Sequence, residues 1–146
     1  MLLLGTRNAT TQVLTTGDLI NFGSVYRKYC KKNNCGVKTF DLNSTSIALQ
    51  QEGVYHLTAN ITFTAPTAGD VTFQLTQNGF ELPSAFATET ITTATTEVKT
   101  TTIDYFVLVD SNCILGIPTT LANIAITLTG VDATISNIVV NIEKVI

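Results

Sequence analysis

One histidine, three cysteines and eleven acids are the residues of this 146-residue chain from which chemistry could be built. His56 stands on the polar side of a strictly alternating segment, so a solvent-facing imidazole is expected there. Cys30 and Cys35 bracket Lys31-Lys32-Asn33-Asn34, and four intervening residues fit one half of a tetrahedral zinc site. His56 and Cys113 lie too far apart in sequence to form the other half. Reduced thiols near a hairpin tip are the simpler reading, and a Cys30–Cys35 disulfide under oxidising conditions is the alternative. The odd number of cysteines argues against a secreted disulfide framework. Asp110, Asn112 and Asp132 could bind calcium if their loops converged, but Asp and Asn also occupy turns for backbone reasons alone. Arg27, Lys28, Lys31 and Lys32 form the one basic cluster in the sequence, the place where an acidic partner surface would dock.

A catalytic centre needs groups that titrate or attack, held together. The acids are scattered, with no pair at glycosidase spacing. There is no Gly-x-Ser-x-Gly, P-loop, His-Glu-x-x-His or dinucleotide fingerprint. A non-enzymatic protein without cofactor or metal is therefore expected. Sugar sites usually offer aromatic platforms with polar rims. Trp is absent, and Tyr26 and Tyr29 are the paired tyrosines outside the expected core strands.

The elements that would position these residues read as strands. From Val54 to Thr64, Tyr55, Leu57, Ala59, Ile61 and Phe63 alternate with His56, Thr58, Asn60, Thr62 and Thr64, giving one buried and one wet face. Val71, Phe73 and Leu75 alternate in the same way, and Asn78-Gly79 then predicts a tight hairpin. Residues 88–102 hold nine threonines and read as an exposed strand and loop. Ile103–Val109 is apolar on both faces: Ile103, Tyr105, Val107 and Val109 on one, Phe106 and Leu108 on the other. A two-sheet sandwich covers one face only, so a second subunit is expected on the other. Further strands are predicted at Gln12–Leu14, Leu19–Tyr26, Lys38–Leu42, Cys113–Ile117, Ile124–Leu128 and Ile135–Ile146. Tyr55, Leu57, Ile61, Phe63, Phe73, Leu75, Ile126, Leu128, Ile138 and Val140 form the expected core. Residues 1–11 read as an N-terminal arm, and 12–146 as one all-β domain. Leu2, Leu3 and Leu4 are expected to anchor that arm on a partner.

Composition agrees. The chain is 45% hydrophobic and 13% charged, against about 25% charged in an average soluble domain. Thr occurs 27 times and suits pleated, half-exposed surfaces. A net charge of −3 makes nucleic acid an unexpected partner. No apolar run reaches 18 residues, and the short Met1–Gly5 stretch lacks the features of an export signal, so neither membrane insertion nor secretion is expected. The Asn-x-Thr triplets at Asn8, Asn43 and Asn60 are ascribed to the abundance of both residues.

The block Ile47-Ala48-Leu49-x-x-x-Gly53-Val54-Tyr55-His56-Leu57-Thr58-Ala59-Asn60-Ile61-Thr62-Phe63, followed by Gly69, the Asn78-Gly79 hairpin and an alternating C-terminal pair of strands, resembles the C1q/TNF-like jelly roll of the bacterial and bacteriophage type. The resemblance covers roughly residues 18–146. It implies a ten-stranded, two-sheet jelly-roll β-sandwich that forms a homotrimer, with Tyr55 or Tyr105 near the three-fold axis beside Phe106 and Leu108. The function expected from it is that of a bacteriophage virion structural protein, a trimeric head fibre or capsid-decorating protein, with capsid or other virion proteins as partners. A chain of this length leaves no room for a long shaft. The alternative is a carbohydrate- or receptor-binding jelly-roll module at a phage tail tip or bacterial surface, with a host-surface glycan as ligand.

Overall fold

The alternating segments become the long strands of two antiparallel sheets. The computed structural model describes residues 2–30, 40–110 and 122–146, and every regular element among them is a strand. In chain order these are β1 (Leu2–Asn8), β2 (Gln12–Leu14), β3 (Ser24–Cys30), β4 (Phe40–Asn43), β5 (Ser46–Leu49), β6 (Gly53–Thr64), β7 (Gly69–Gln77), β8 (Phe80–Ile91), β9 (Lys99–Val109), β10 (Ala122–Gly130) and β11 (Ala133–Lys144). The first sheet runs β3-β1-β11-β6-β9, with β2 continuing the line of β1 along β11. The second runs β4-β5-β10-β7-β8. The chain changes sheet at β3–β4, β5–β6, β6–β7, β8–β9, β9–β10 and β10–β11, the winding of a jelly roll. The expected strand at Cys113–Ile117 lies outside the described residues, as do Lys31, Lys32, Cys35 and Asn112.

The inner faces supply the core. All ten expected core side chains are at most 1% exposed. Phe63 of the first sheet meets Phe73 of the second edge-to-face at 5.1 Å between ring centroids, joining the layers. Asn78 and Gly79 both take positive φ, 52° and 83°, which is the geometry that lets the β7–β8 hairpin follow the twist of its strands. The threonines lie mainly on the outer faces and pair across strands: Thr62 with Thr100 at 3.0 Å, Thr72 with Thr88 at 2.7 Å, and Thr102 donating to Asn60 at 2.7 Å. In the β8–β9 loop the Glu97 carboxylate accepts from the backbone N–H groups of Thr93 and Thr92, which hold its pKa down to about 2.

The N-terminal segment corrects the sequence reading. Residues 2–8 are not an arm. They form β1, hydrogen-bonded to β11 on one side and β3 on the other. Leu2 and Leu4 are buried in the core at 3% and 2% exposure, so neither is available as an anchor; Leu3 faces outward. A boundary at residue 11 has no structural counterpart, because β1 and β2 lie on the same partner strand and are separated only by a short break. The predicted strand at Leu19–Tyr26 is shifted. Leu19 makes an isolated bridge to Thr127, and regular pairing begins at Ser24.

Candidate interaction face

The residues of greatest chemical interest gather on the outer face of the first sheet. β6 and β9 pair in register, Val54 against Leu108, His56 against Phe106, Thr58 against Asp104 and Asn60 against Thr102. These pairs all point away from the core. Phe106 and Leu108 are each 60% exposed, on the strand that forms the edge of the sheet. With Val54 beside them they make an apolar patch on an otherwise Thr- and Asn-rich face.

The two tyrosines expected near them point the other way. Tyr55 is fully buried, and its hydroxyl donates to the Gln51 carbonyl at 2.7 Å. Burial pushes its phenol pKa up. Tyr105 is half-buried and packs against the core. Period-two geometry allows no other outcome, since Tyr55 shares a face with Leu57 and Ile61, and Tyr105 with Ile103 and Val107. Of the four residues expected at a subunit interface, Phe106 and Leu108 face outward, while Tyr55 and Tyr105 belong to the core side.

His56 lies on the wet face, as its position in the alternation requires, but it is not free. Its Nε2 is 2.6 Å from Asp104 and its Nδ1 is 3.4 Å from Glu143, while the ring stacks on Phe106 at 4.8 Å. The hydrogen bond to Asp104 raises the imidazole pKa; Glu143 adds to the rise and partial burial opposes it. With a carboxylate on each nitrogen, the ring is stabilised as an imidazolium and is poorly placed to take a proton from a nucleophile. A linkage follows. A histidine pKa raised by folding contributes stability that is complete below about 6.5, the unfolded value, and is lost as pH rises through the folded one. The melting temperature of the native protein should therefore exceed that of His56→Gln by more at pH 6 than at pH 9. An equal difference at the two pH values would remove the charged pairing.

A second group forms around Tyr26. The β1–β3 register shifts between Gly5 and Thr6, leaving Tyr26 as the extra residue of a bulge. Its ring swings over Gly5, where a Cβ would stand 2.8 Å from Cε1, and its hydroxyl donates to Asn141 Oδ1 at 2.8 Å. Only glycine at position 5 leaves room for this ring. Tyr26 divides two shallow grooves. One holds Arg7, Asn8, Thr10 and Ser24; the other holds Leu3, Arg27, His56 and Glu143.

The sequence reading missed Asp104, Glu143, Gly5 and Asn141 because their roles depend on which strands are neighbours. The outward parity of Asp104 with Phe106 was legible; its place opposite β6 was not. Among the described residues no group of three or more His, Cys, Asp and Glu could hold a metal ion. Asp110 follows the end of β9 that pairs with the start of β6, whereas Asp132 precedes the part of β11 that pairs with the end of β6. They are therefore separated by most of the length of a 12-residue strand and do not converge. Asp132 accepts instead from the Thr16 backbone N–H at 3.0 Å. Of the basic cluster, Arg27 and Lys28 lie exposed on β3.

No protein-family model and no curated protein sequence matches this chain. Solved structures match along its whole length. The globular domain of zebrafish complement 1qA protein superposes with a TM-score of 0.64 at 8% identity, covering 100% of this chain and 98% of that one. Eiger TNF from S. frugiperda gives 0.64 at 8% identity, covering 99% and 91%. The PRD1 vertex protein P5 gives 0.51 at 13% identity, covering 97% and 93%. Identities this low show the fold alone, and that fold is the C1q/TNF-like jelly roll.

Proposed function

We propose that this chain is a non-enzymatic structural protein of a bacteriophage virion, acting as a homotrimeric head fibre or capsid-decorating protein. The observation that carries the reading is the outward pair Phe106 and Leu108 on the edge strand of the first sheet. An apolar patch on the outer face of a sheet marks an interface. A contact made by one such patch near a three-fold axis closes into a ring when each copy supplies the same residues. A homotrimer is also what the resemblance of the sequence to the C1q/TNF-like family implies, and the shared fold supports that reading. The likeness in fold to the PRD1 vertex protein P5 supports the virion as the setting. In this reading the partners are two further copies of the chain and a capsid or other virion protein, and the jelly roll serves as a stable module presented on the particle.

Light scattering on purified protein at micromolar concentration should return the mass of three chains. A mass of one chain would overturn the trimer and the function built on it. Labelled antibodies against the protein should then decorate phage particles; particles left unlabelled would remove the virion assignment while leaving the trimer intact.

A further inference from the structure

We infer that the β3 edge of the first sheet carries a binding site for an acidic polysaccharide, centred on Tyr26 and Arg7. The aromatic ring is the first observation. Tyr26 is held in a bulge, backed by the Gly5 backbone and tied by its hydroxyl to Asn141, yet 51% of the residue remains exposed. An aromatic ring fixed in this way is a platform on which the C–H face of a sugar ring can lie, with little ordering left to do on binding.

Charge supplies the second observation. The described strands β1 and β3 carry three cations, Arg7, Arg27 and Lys28, and no acid. Arg7 and Arg27 flank Tyr26, one in each groove, and neither has an ion-pair partner among the described residues. The groove on the Arg7 side contains no carboxylate. In the other groove Glu143 is already engaged by His56. On a chain of net charge −3, these cations make the β1–β3 edge the described surface that would attract a polyanion.

The rim is polar and built in advance. Asn8 donates to the Asn21 carbonyl at 3.0 Å, and the Asn21 side chain accepts from the Gly23 N–H at 2.8 Å, fixing the loop beside Arg7. Exposed Thr10 and Ser24 add hydroxyls. One ring, two guanidinium groups and a few hydroxyls match one or two sugar residues bearing carboxylate or phosphate. They are too few for a nucleic-acid duplex, whose affinity scales with the number of phosphates contacted.

Calorimetric titration tests this with three probes: an oligogalacturonate, a glycerol-phosphate teichoic acid oligomer and maltotriose. At least one acidic probe should bind saturably and roughly tenfold or more tightly than neutral maltotriose. The acidic probe that binds identifies whether carboxylate or phosphate is the recognised group. Tyr26→Ala and Arg7→Gln should each weaken that binding about tenfold or more, while circular dichroism confirms that both variants are folded. Tyr26→Phe should retain most of it. The site does not rest on the trimer, because β3 and β9 are opposite edges of the sheet, so Leu108→Glu, a change in the outward patch away from His56, should bind as the native protein does. Failure of both acidic probes overturns the proposal. So does equal binding of maltotriose, or a short DNA duplex that binds as tightly and is indifferent to Tyr26→Ala. Binding by the Leu108→Glu protein but not by the native protein would place the groove beneath a neighbouring subunit and overturn it as a site of the assembled protein.

Discussion

Deleting residues 1–10 should abolish soluble folding. β1 is an interior strand, paired with β11 from Leu2↔Lys144 to Asn8↔Ile138 and with β3 on its other side. Its loss strands β3 and uncovers one edge of β11. Burial of Leu2 and Leu4 contributes about 1.5–3 kcal/mol each, and the ladder bonds are lost with them. The total is a large part of the roughly 5–15 kcal/mol by which a domain is stable. The truncated protein should appear in the insoluble fraction, or lack a cooperative melt by circular dichroism. A soluble product melting with the native protein would show β1 to be dispensable.

Phe106→Glu should convert the proposed trimer to single chains without unfolding them. The side chain is outward and largely exposed within one subunit, so the core is not touched. Near a three-fold axis the substitution places three carboxylates together and removes three phenyl rings, each worth about 1.5–3 kcal/mol when fully buried. Asp104, on the same face of the same strand, adds to the repulsion. Light scattering should report the mass of one chain, with the native circular dichroism spectrum, while Phe106→Leu should remain trimeric. If Phe106→Glu keeps the mass of three chains, this residue is not in the interface.

The central strands were legible because each has one dry and one wet face, and alternation is that difference written into sequence. β6 ran from Gly53 to Thr64 against an expected Val54–Thr64, and the short β2 fell at Gln12–Leu14 as expected. β1 escaped for a physical reason. Its inward residues are Leu2, Leu4 and Thr6, and its outward ones Leu3, Gly5 and Arg7. An outward leucine and an inward threonine erase the alternation. The Thr6 hydroxyl is buried with no hydrogen-bond partner among the described residues, and Gly5 is small because Tyr26 crosses it. Both exceptions answer to neighbours distant in sequence, which no local pattern contains. The same holds for the His56 cluster, whose three members come from β6, β9 and β11.

The pairing of β1 with β11 also bears on how the molecule reaches its native state. The first strand has no permanent partner on that side until the last has been made, since Leu2 meets Lys144 and Arg7 meets Val139. During synthesis a hydrophobic, hydrogen-bond-hungry segment must wait for nearly the whole chain to follow it. Loops that long close slowly, and sheets dominated by such distant pairings fold in roughly milliseconds to seconds. The waiting strand is a natural point for capture by a chaperone, and for misassembly with another nascent chain. Refolding yield should therefore fall steeply with protein concentration, even where the finished molecule is indifferent to it.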